Sequence, residues 1–240
     1  LEPLAKIIMI QNESNLLDRV KNFIKGEVKN AAEALQGARD IIAEWVNENE
    51  GARNAVRNSF AHTGIISSKV IKGKEEEGAK YRDYFDFSEP LNRCSSHRLL
   101  ALRRGEAEGI LRVSISPDVD TTLDRLKRRF VKGNNEVSDQ VANAVDDSFK
   151  RLLKPSIETE YANLSKTKAD EEAIRVFAEN LRQLLLAPPL GQKRVLGVDP
   201  GYRTGCKLVC LDAQGNLLHN EAIYPHPPQN EKSKAAAKVS

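Results

Sequence analysis

Cysteine is scarce in this chain of 240 residues, which contains only Cys94, Cys206 and Cys210. Their odd number and irregular spacing match no zinc-binding pattern, and the four histidines are scattered along the chain. On a predicted strand, Cys206 and Cys210 lie about 13 Å apart, whereas a disulfide needs Cα atoms within about 7 Å. We therefore expect reduced cysteines, with neither a disulfide framework nor a zinc site.

Long apolar runs are absent too. No stretch approaches the roughly 20 apolar residues that span a bilayer, and the chain does not open with the residue series of a signal peptide. We therefore expect a soluble, cytoplasmic protein with no membrane partner. The chain begins with Leu1 rather than Met and ends in a polar, lysine-rich tail, so we interpret it as a piece of a longer protein.

The spacing of apolar residues predicts a mainly α protein. These residues recur at intervals of three and four in segments around 3–8, 16–24, 35–46, 52–60, 99–102, 123–130, 141–152 and 156–186. Gly64 and Pro155 are predicted to end two of these helices, and Thr121 with Asp124 has the spacing of a capping box. The longest helix is expected to bury one edge, formed by Tyr161, Leu164, Ile174, Phe177, Leu181 and Leu184.

Short strands are predicted at 65–71 and 109–115 within this helical bundle. Residues 187–191, Ala-Pro-Pro-Leu-Gly, form the one convincing boundary, which predicts domains at 1–190 and 191–240. The second domain is predicted to contain strands at 195–199, 205–212 and 216–224. A turn at Asp212–Asn216 joins the last two.

Positive charge is concentrated in one region. The net charge of +3 does not by itself indicate a nucleic-acid partner, but 91–132 contains ten lysines or arginines against five acids. Four of these cations, at helical positions i, i+3, i+4 and i+7, share one face: Arg125, Arg128, Arg129 and Lys132. One interpretation is contact with phosphates without sequence readout. The other is ion pairing with acids of a neighbouring helix, namely Asp146, Asp147 or the pair Glu171 and Glu172.

Three other clusters receive structural interpretations. The run Glu75, Glu76 and Glu77 is predicted to be a solvated charged loop rather than a metal site. The aromatic side chains of Tyr81, Tyr84, Phe85 and Phe87 are expected to pack, because neighbouring acids would repel the phosphates of a stacked nucleic acid. Trp45 is expected to anchor the core.

A single carboxylate stands out near the end of the chain. The apolar run from Val195 ends at Asp199, and Pro200-Gly201 then turns the chain. An acid held at the end of a strand suits a hard cation, as in nucleases that hold two metal ions about 4 Å apart. Alternatively, Asp199 binds the amides of its own turn. Spacing alone does not decide between these roles.

Several motifs resemble the Tex family of bacterial transcription accessory proteins. Two of them, Leu196–Lys207 and Tyr224–Gln229, are similar to the start of its resolvase-related YqgF domain. The upstream stretches Ala34–Trp45, Lys72–Asp86 and Ser96–Gly105 also agree with the family, so the resemblance spans roughly 34–229. Ser95 stands where the family pattern has proline.

The resemblance implies a helical central region followed by the first strands of an incomplete ribonuclease-H-like, RuvC-like α/β domain. It implies a transcription-associated scaffold that binds RNA or DNA and contacts the transcription machinery, with no catalysis in this piece and no cofactor. The alternative that it implies is a Mg²⁺-dependent nuclease whose first carboxylate is Asp199. A third interpretation compares Gly197–Gly205 with the phosphate loop of sugar kinases and actin-like ATPases.

Overall fold

The computed structural model describes residues 1–201 and 205–239. It divides into two compact units, Leu1–Ala178 and Glu179–Ser240. Four helices open the first unit where the apolar spacing predicts them: α1 (Glu2–Ile10), α2 (Leu16–Lys21), α3 (Ala31–Glu48) and α4 (Glu50–Thr63).

Gly64 ends α4, as predicted, but not through a left-handed conformation. Its φ of −61° is open to any residue. A Cβ at this position would lie 2.2 Å from the Phe60 carbonyl oxygen. Glycine is therefore required by the close approach of the backbone to the last turn of the helix.

A three-stranded antiparallel sheet follows, in the order β2-β1-β3. Strands β1 (Ile65–Val70) and β3 (Leu111–Ser116) are close to their predicted positions, whereas β2 (Asp86–Pro90) was not predicted. A 3₁₀ segment at Ala79–Tyr84 precedes β2. Tyr81 is buried, and the other three aromatic residues of this cluster pack against the core while half-buried, which confirms their packing role.

The remaining helices of the first unit are α5 (Ser96–Ala107), α6 (Val119–Phe130), α7 (Glu136–Asp147) and α8 (Lys154–Leu185). The predicted capping box of α6 is wrong by one turn. Asp118 is the N-cap, and its carboxylate accepts a hydrogen bond of 3.1 Å from the Thr121 amide. A short side chain just after Pro117, on extended backbone, reaches the first turn directly.

Pro155 does not end a helix, contrary to the prediction. The chain passes from α7 through a π-helical stretch, Ser148–Leu153, into α8. Pro155 is the second residue of α8 and follows directly on the π-helical stretch, in which the Lys154 amide bonds the Phe149 carbonyl. A π-helical turn is one of the irregularities by which a helix accommodates a residue that lacks an amide donor. The apolar spacing continues through this junction, from Leu152 to Ile157, in agreement with a helix that does not stop at the proline.

The predicted buried edge of α8 is also largely wrong. Tyr161 is half-buried and its ring stacks on Phe60, with centroids 5.4 Å apart. The other five residues of that edge are exposed, Phe177 by 67%. The core takes its last residue of α8 at Ala169, and every residue of the helix from Glu171 onward is exposed. Periodicity identifies an apolar face but does not show that anything covers it.

One continuous core fills the first unit. It extends from Leu4 in α1 to Ala169 in α8 and includes fully buried side chains of Ile42, Phe60 and Leu126. Trp45 packs against this core, as predicted. All three cysteines are free.

The second unit contains the end of α8, then β4 (Val195–Asp199), β5 (Cys206–Leu211), β6 (Leu217–Ile223) and α9 (Lys232–Val239). The strands form an antiparallel sheet in the order β4-β5-β6. They lie within one residue of the predicted bounds and fit the start of a ribonuclease-H-like domain. Asp212 closes the predicted turn by accepting hydrogen bonds from the amides of Gln214 and Asn216. Helix α9 was not predicted.

The boundary between the two units lies inside α8, after Ala178. The predicted linker, 187–191, follows the end of that helix and contains no helix or strand. No helix in the described part of the chain is both long enough and apolar enough to cross a membrane.

Candidate nucleic-acid interface

Helix α6 buries one side and presents cations on the other. Thr122 and Leu126 are buried, whereas Arg125, Arg128 and Arg129 are exposed. Lys132, which follows the helix, is exposed as well. We call these four residues, Arg125, Arg128, Arg129 and Lys132, the α6 basic surface. Their burial pattern follows from helical geometry, because the arginines lie away from the apolar stripe.

The predicted helical position of Lys132 is wrong. Helix α6 ends at Phe130, and Val131 has extended backbone with φ −90° and ψ 120°. Lys132 therefore reaches the surface from the segment after the helix and not from a further turn. Its backbone amide donates a 2.8 Å hydrogen bond to the side-chain oxygen of Gln11.

Gln11 holds this segment in place, and sequence reasoning missed it. Its side-chain nitrogen donates a 2.8 Å hydrogen bond to the Phe130 carbonyl, so one amide group spans the end of α6. Gln11 is only 6% exposed, and its own carbonyl accepts a bond from the side chain of Asn135, the N-cap of α7. The residue thus joins the ends of α1 and α6 to the start of α7. Its one sequence signal is a polar residue directly after an apolar helix.

Arg129 lies over the first turn of α4. A Cβ built on Gly51 would come within 2.0 Å of the Nη2 atom of Arg129. A side chain at position 51 would therefore require the guanidinium of Arg129 to move aside.

The predicted acidic partners of this surface are engaged elsewhere. Asp146 pairs with Lys127 at 2.8 Å, and Asp147 pairs with Arg151 at 2.8 Å. Glu172 accepts a hydrogen bond from the Ser96 hydroxyl. Within residues 1–178, all of which the structure describes, no cation of the α6 basic surface forms an ion pair. The ion-pairing interpretation is therefore wrong for these acids, while phosphate contact stays a prediction.

Charges along α6 also suit the helix dipole. Asp118 and Asp120 lie at its start, while Arg128 and Arg129 lie in its last turn, where positive charge is stabilising. The hydrogen bond from the backbone of Thr121 lowers the pKa of the Asp118 carboxyl, assisted by the Thr121 hydroxyl and by Arg125. The helix dipole gives no such stabilisation to the positive charge of Lys132, because this residue lies beyond the end of the helix.

The carboxylate of Asp199 is exposed at the end of β4, opposite Lys207 of β5 in the strand register. Residues 202–204 lie outside the described residues, so the predicted phosphate loop, Gly197–Gly205, is described only in part. Across 1–201 and 205–239, no group of three or more histidine, cysteine, aspartate or glutamate side chains is placed to hold a metal ion. These residues alone therefore do not fit a three-ligand Mg²⁺ site at Asp199.

The glutamate run is an exposed charged loop in the structure. Glu75, Glu76 and Glu77 are all exposed, and Glu77 pairs with Lys74. This arrangement agrees with the predicted solvated loop.

Comparisons with known proteins match both units. A family model described as Tex central region-like matches 12–177, and one described as Tex protein YqgF-like domain matches 193–240. The "Uncharacterized protein YdcI" of Bacillus subtilis is 39% identical over the whole chain, which covers 34% of that relative. The "Transcriptional accessory protein Tex" of Neisseria gonorrhoeae is 34% identical over 96% of the chain and 31% of the relative.

A human protein, "S1 RNA-binding domain-containing protein 1", is 29% identical over 89% of the chain and 23% of its own length. The chain thus spans about a third of the length of the bacterial relatives it matches and less of this one.

Proposed function

Because the chain belongs to the Tex family, we propose that it is a nucleic-acid-binding scaffold within a transcription accessory factor. The names of two relatives support a role with nucleic acids, since one is a transcriptional accessory protein and another an RNA-binding-domain protein. The proposed partners are RNA or DNA and, through the longer protein, the transcription machinery. In this piece we assign the scaffold no catalysis.

The α6 basic surface is the observation that carries the proposal. Exposed cations that lack ion pairs repel one another, and a polyanion relieves that repulsion. Its members are supported by the core below α6 and by the bonds of Gln11 to Phe130 and Lys132. Phosphate contacts of this kind supply affinity but no base recognition. The scaffold therefore binds weakly and without sequence preference.

Fluorescence anisotropy tests the proposal. The 240-residue chain is titrated into labelled 20-mers of three scrambled sequences at 50 mM salt, and we expect similar, weak binding to all three. Charge reversal by Arg128→Glu with Arg129→Glu is expected to abolish it. The matched control is Lys25→Glu with Lys29→Glu, which changes the net charge equally at another exposed segment and should retain most of the binding.

Unchanged binding by the Arg128→Glu, Arg129→Glu variant would overturn the assignment to α6. A loss of the same size in the control would overturn it too, since net charge alone would then explain the effect. The fluorescence of Trp45, the one tryptophan of the chain, verifies that each variant is folded.

The second candidate is a Mg²⁺-dependent nuclease, favoured by the exposed carboxylate of Asp199 at the end of a strand. Incubation of single-stranded and branched DNA with Mg²⁺, using wild type and Asp199→Asn, tests this candidate. Cleavage that disappears in the variant would support it, and equal products from both proteins would remove it.

A further inference from the structure

Four serines are buried within residues 1–178, all of which the structure describes, and only Ser138 has a hydroxyl without a hydrogen-bond partner. The hydroxyls of Ser59, Ser68 and Ser148 each donate to a backbone carbonyl, at 3.2, 2.6 and 2.7 Å. Ser138 is only 1% exposed, so solvent does not replace that bond. A buried hydroxyl without a partner destabilises a fold, which indicates that this serine has a role other than stability.

The Ser138 hydroxyl lies at the positive end of α7. Ser138 is the third residue of that helix, and its hydroxyl oxygen is the nearest atom to a Cβ built on Gly133, at 3.2 Å. The hydroxyl therefore points at the exposed loop 132–135, which leads into the helix. In the first turn, Asn135 caps the Ser138 amide, whereas the amides of Glu136 and Val137 have no acceptor within the helix. These donors and the helix dipole favour an anion.

Lys132 supplies a positive charge beside this turn. Its side chain is exposed and forms no ion pair within residues 1–178. Gln11 holds both ends of the loop, because its side-chain oxygen accepts a 2.8 Å bond from the Lys132 amide and its carbonyl accepts a 3.3 Å bond from the Asn135 side chain. A loop that is already fixed loses little conformational freedom when it binds a ligand.

We propose that loop 132–135 and the first turn of α7 bind one phosphate group. The site offers four donors: the ammonium of Lys132, the amides of Glu136 and Val137, and the hydroxyl of Ser138. Hydrogen bonds to a charged phosphate are stronger than those between neutral groups. The acids of the same turn, Glu136 and Asp139, are exposed and limit the affinity by repulsion. A backbone phosphate of a nucleic acid and a free phosphate ion share this chemistry, so the inference does not depend on the proposed function.

An NMR titration tests the site. The isotope-labelled 240-residue chain is titrated with sodium phosphate, and a second sample is titrated with sodium chloride at equal ionic strength. We expect saturable shifts of the Gly133, Glu136 and Val137 amide signals with phosphate alone. Ser138→Ala should weaken this binding about tenfold, since it removes one hydrogen bond to a charged group. Glu136→Gln should tighten it, because it removes a like charge.

Stability separates a ligand site from a structural role. Ser138→Ala removes an unpaired buried hydroxyl, so its free energy of unfolding should equal or exceed that of the wild type. The matched control, Ser148→Ala, breaks a 2.7 Å bond to the Ala43 carbonyl, and it should lower stability while leaving phosphate affinity unchanged. Absence of shifts at the three amides, or equal phosphate affinity in Ser138→Ala and the wild type, would overturn the inference.

A labelled 20-mer identifies the source of the phosphate. If Ser138→Ala also weakens binding of the 20-mer, and inorganic phosphate competes with it, the site holds a phosphate of a nucleic acid. If the shifts occur but Ser138→Ala binds the 20-mer as the wild type does, the site holds a free phosphate ion. A wild type that shows the phosphate shifts but does not bind the 20-mer would remove the proposed function and leave this site standing.

Discussion

The two units of the chain differ in how completely each buries its apolar face. The first has one core that runs through α1 to α8, whereas the core of the second consists of Cys206, Leu208, Ile223 and Ala235. In β4, on the uncovered part of the second sheet, Leu196 and Val198 are 51% and 54% exposed. Since burial of apolar surface is the main favourable term in folding, the first unit is the one equipped to hold side chains in fixed positions.

This difference also separates the two candidate sites. The α6 basic surface stands on the large core, and Gln11 holds the backbone at its end. Asp199 ends a strand whose apolar residues are half exposed. The placement of the α6 basic surface therefore rests on the core of the first unit, and mutations in that core test how far this is so.

The largest expected effect is at Phe60. Replacement by alanine removes a fully buried ring that stacks on Tyr161, and we expect the free energy of unfolding of the first unit to fall by about 3–5 kcal/mol. Denaturant unfolding followed by the fluorescence of Trp45 measures it. The matched control, Phe177→Ala, removes a ring that is 67% exposed and is expected to change stability by less than about 0.5 kcal/mol. Equal losses from both variants would contradict the burial that defines this core.

Gln11 should have the next largest effect. Gln11→Ala leaves the Phe130 carbonyl and the Lys132 amide without their side-chain partner, and we expect a loss of about 1–3 kcal/mol in the same unfolding assay. Gln11→Glu keeps the size but removes the donor to Phe130, so it should also destabilise. Gln36→Ala, an exposed site, is the control. If Gln11→Ala and Gln36→Ala behave alike, Gln11 does not connect these helices.

A smaller, pH-dependent effect is expected at Asp118. Its pKa is lower when folded, so the stabilisation is complete above the ordinary carboxyl range and is lost as the pH falls through the folded pKa. Asp118→Asn, which still caps the helix but cannot ionise, should weaken this acid dependence, whereas Asp118→Ala should lower stability at neutral pH. Unfolding at pH 7 and pH 3 measures both. An unchanged acid profile in Asp118→Asn would rule out this carboxylate as its source.

The smallest effect concerns Cys94. Burial, together with the nearby carboxylate of Glu89, raises the pKa of this thiol to about 12, so it stays protonated at pH 8. We expect iodoacetamide to leave Cys94 unmodified in the folded chain and to alkylate it after unfolding in urea. Peptide mass spectrometry follows the reaction, and equal rates in both states would show that the first unit does not shield it.

How far the sequence predicts the structure depends on whether the signal is local. The strands of the second sheet lie within a residue of their predicted bounds, because alternation and turn residues such as Asp212 act over a few positions. Strand β2 was missed because the aromatic residues around it do not alternate clearly. The exposure of Phe177 and the bonds of Gln11 to a segment about 120 residues away depend on tertiary structure, which periodicity does not report.

In the candidate site too, the features set by local sequence could be predicted and those set by tertiary structure could not. The spacing of Arg125, Arg128 and Arg129 on one helix was readable, and so was their position away from the buried residues. The end of α6 before Lys132 was not, because the stop signal of Gly133 and Asn134 lies after that residue. The partners of Asp146 and Asp147 were not readable either, since each pairs with a different cation in the folded chain.

The salt dependence of duplex binding tests the central claim most directly. If all four cations of the α6 basic surface contact phosphates, log K falls against log salt with a slope of about −3.6, which is about 150-fold between 50 and 200 mM. For Arg128→Gln with Arg129→Gln, which removes two phosphate contacts without adding negative charge, the slope should be about −1.8, or about 12-fold. Equal slopes for the wild type and this variant would show that the α6 basic surface does not hold the nucleic acid.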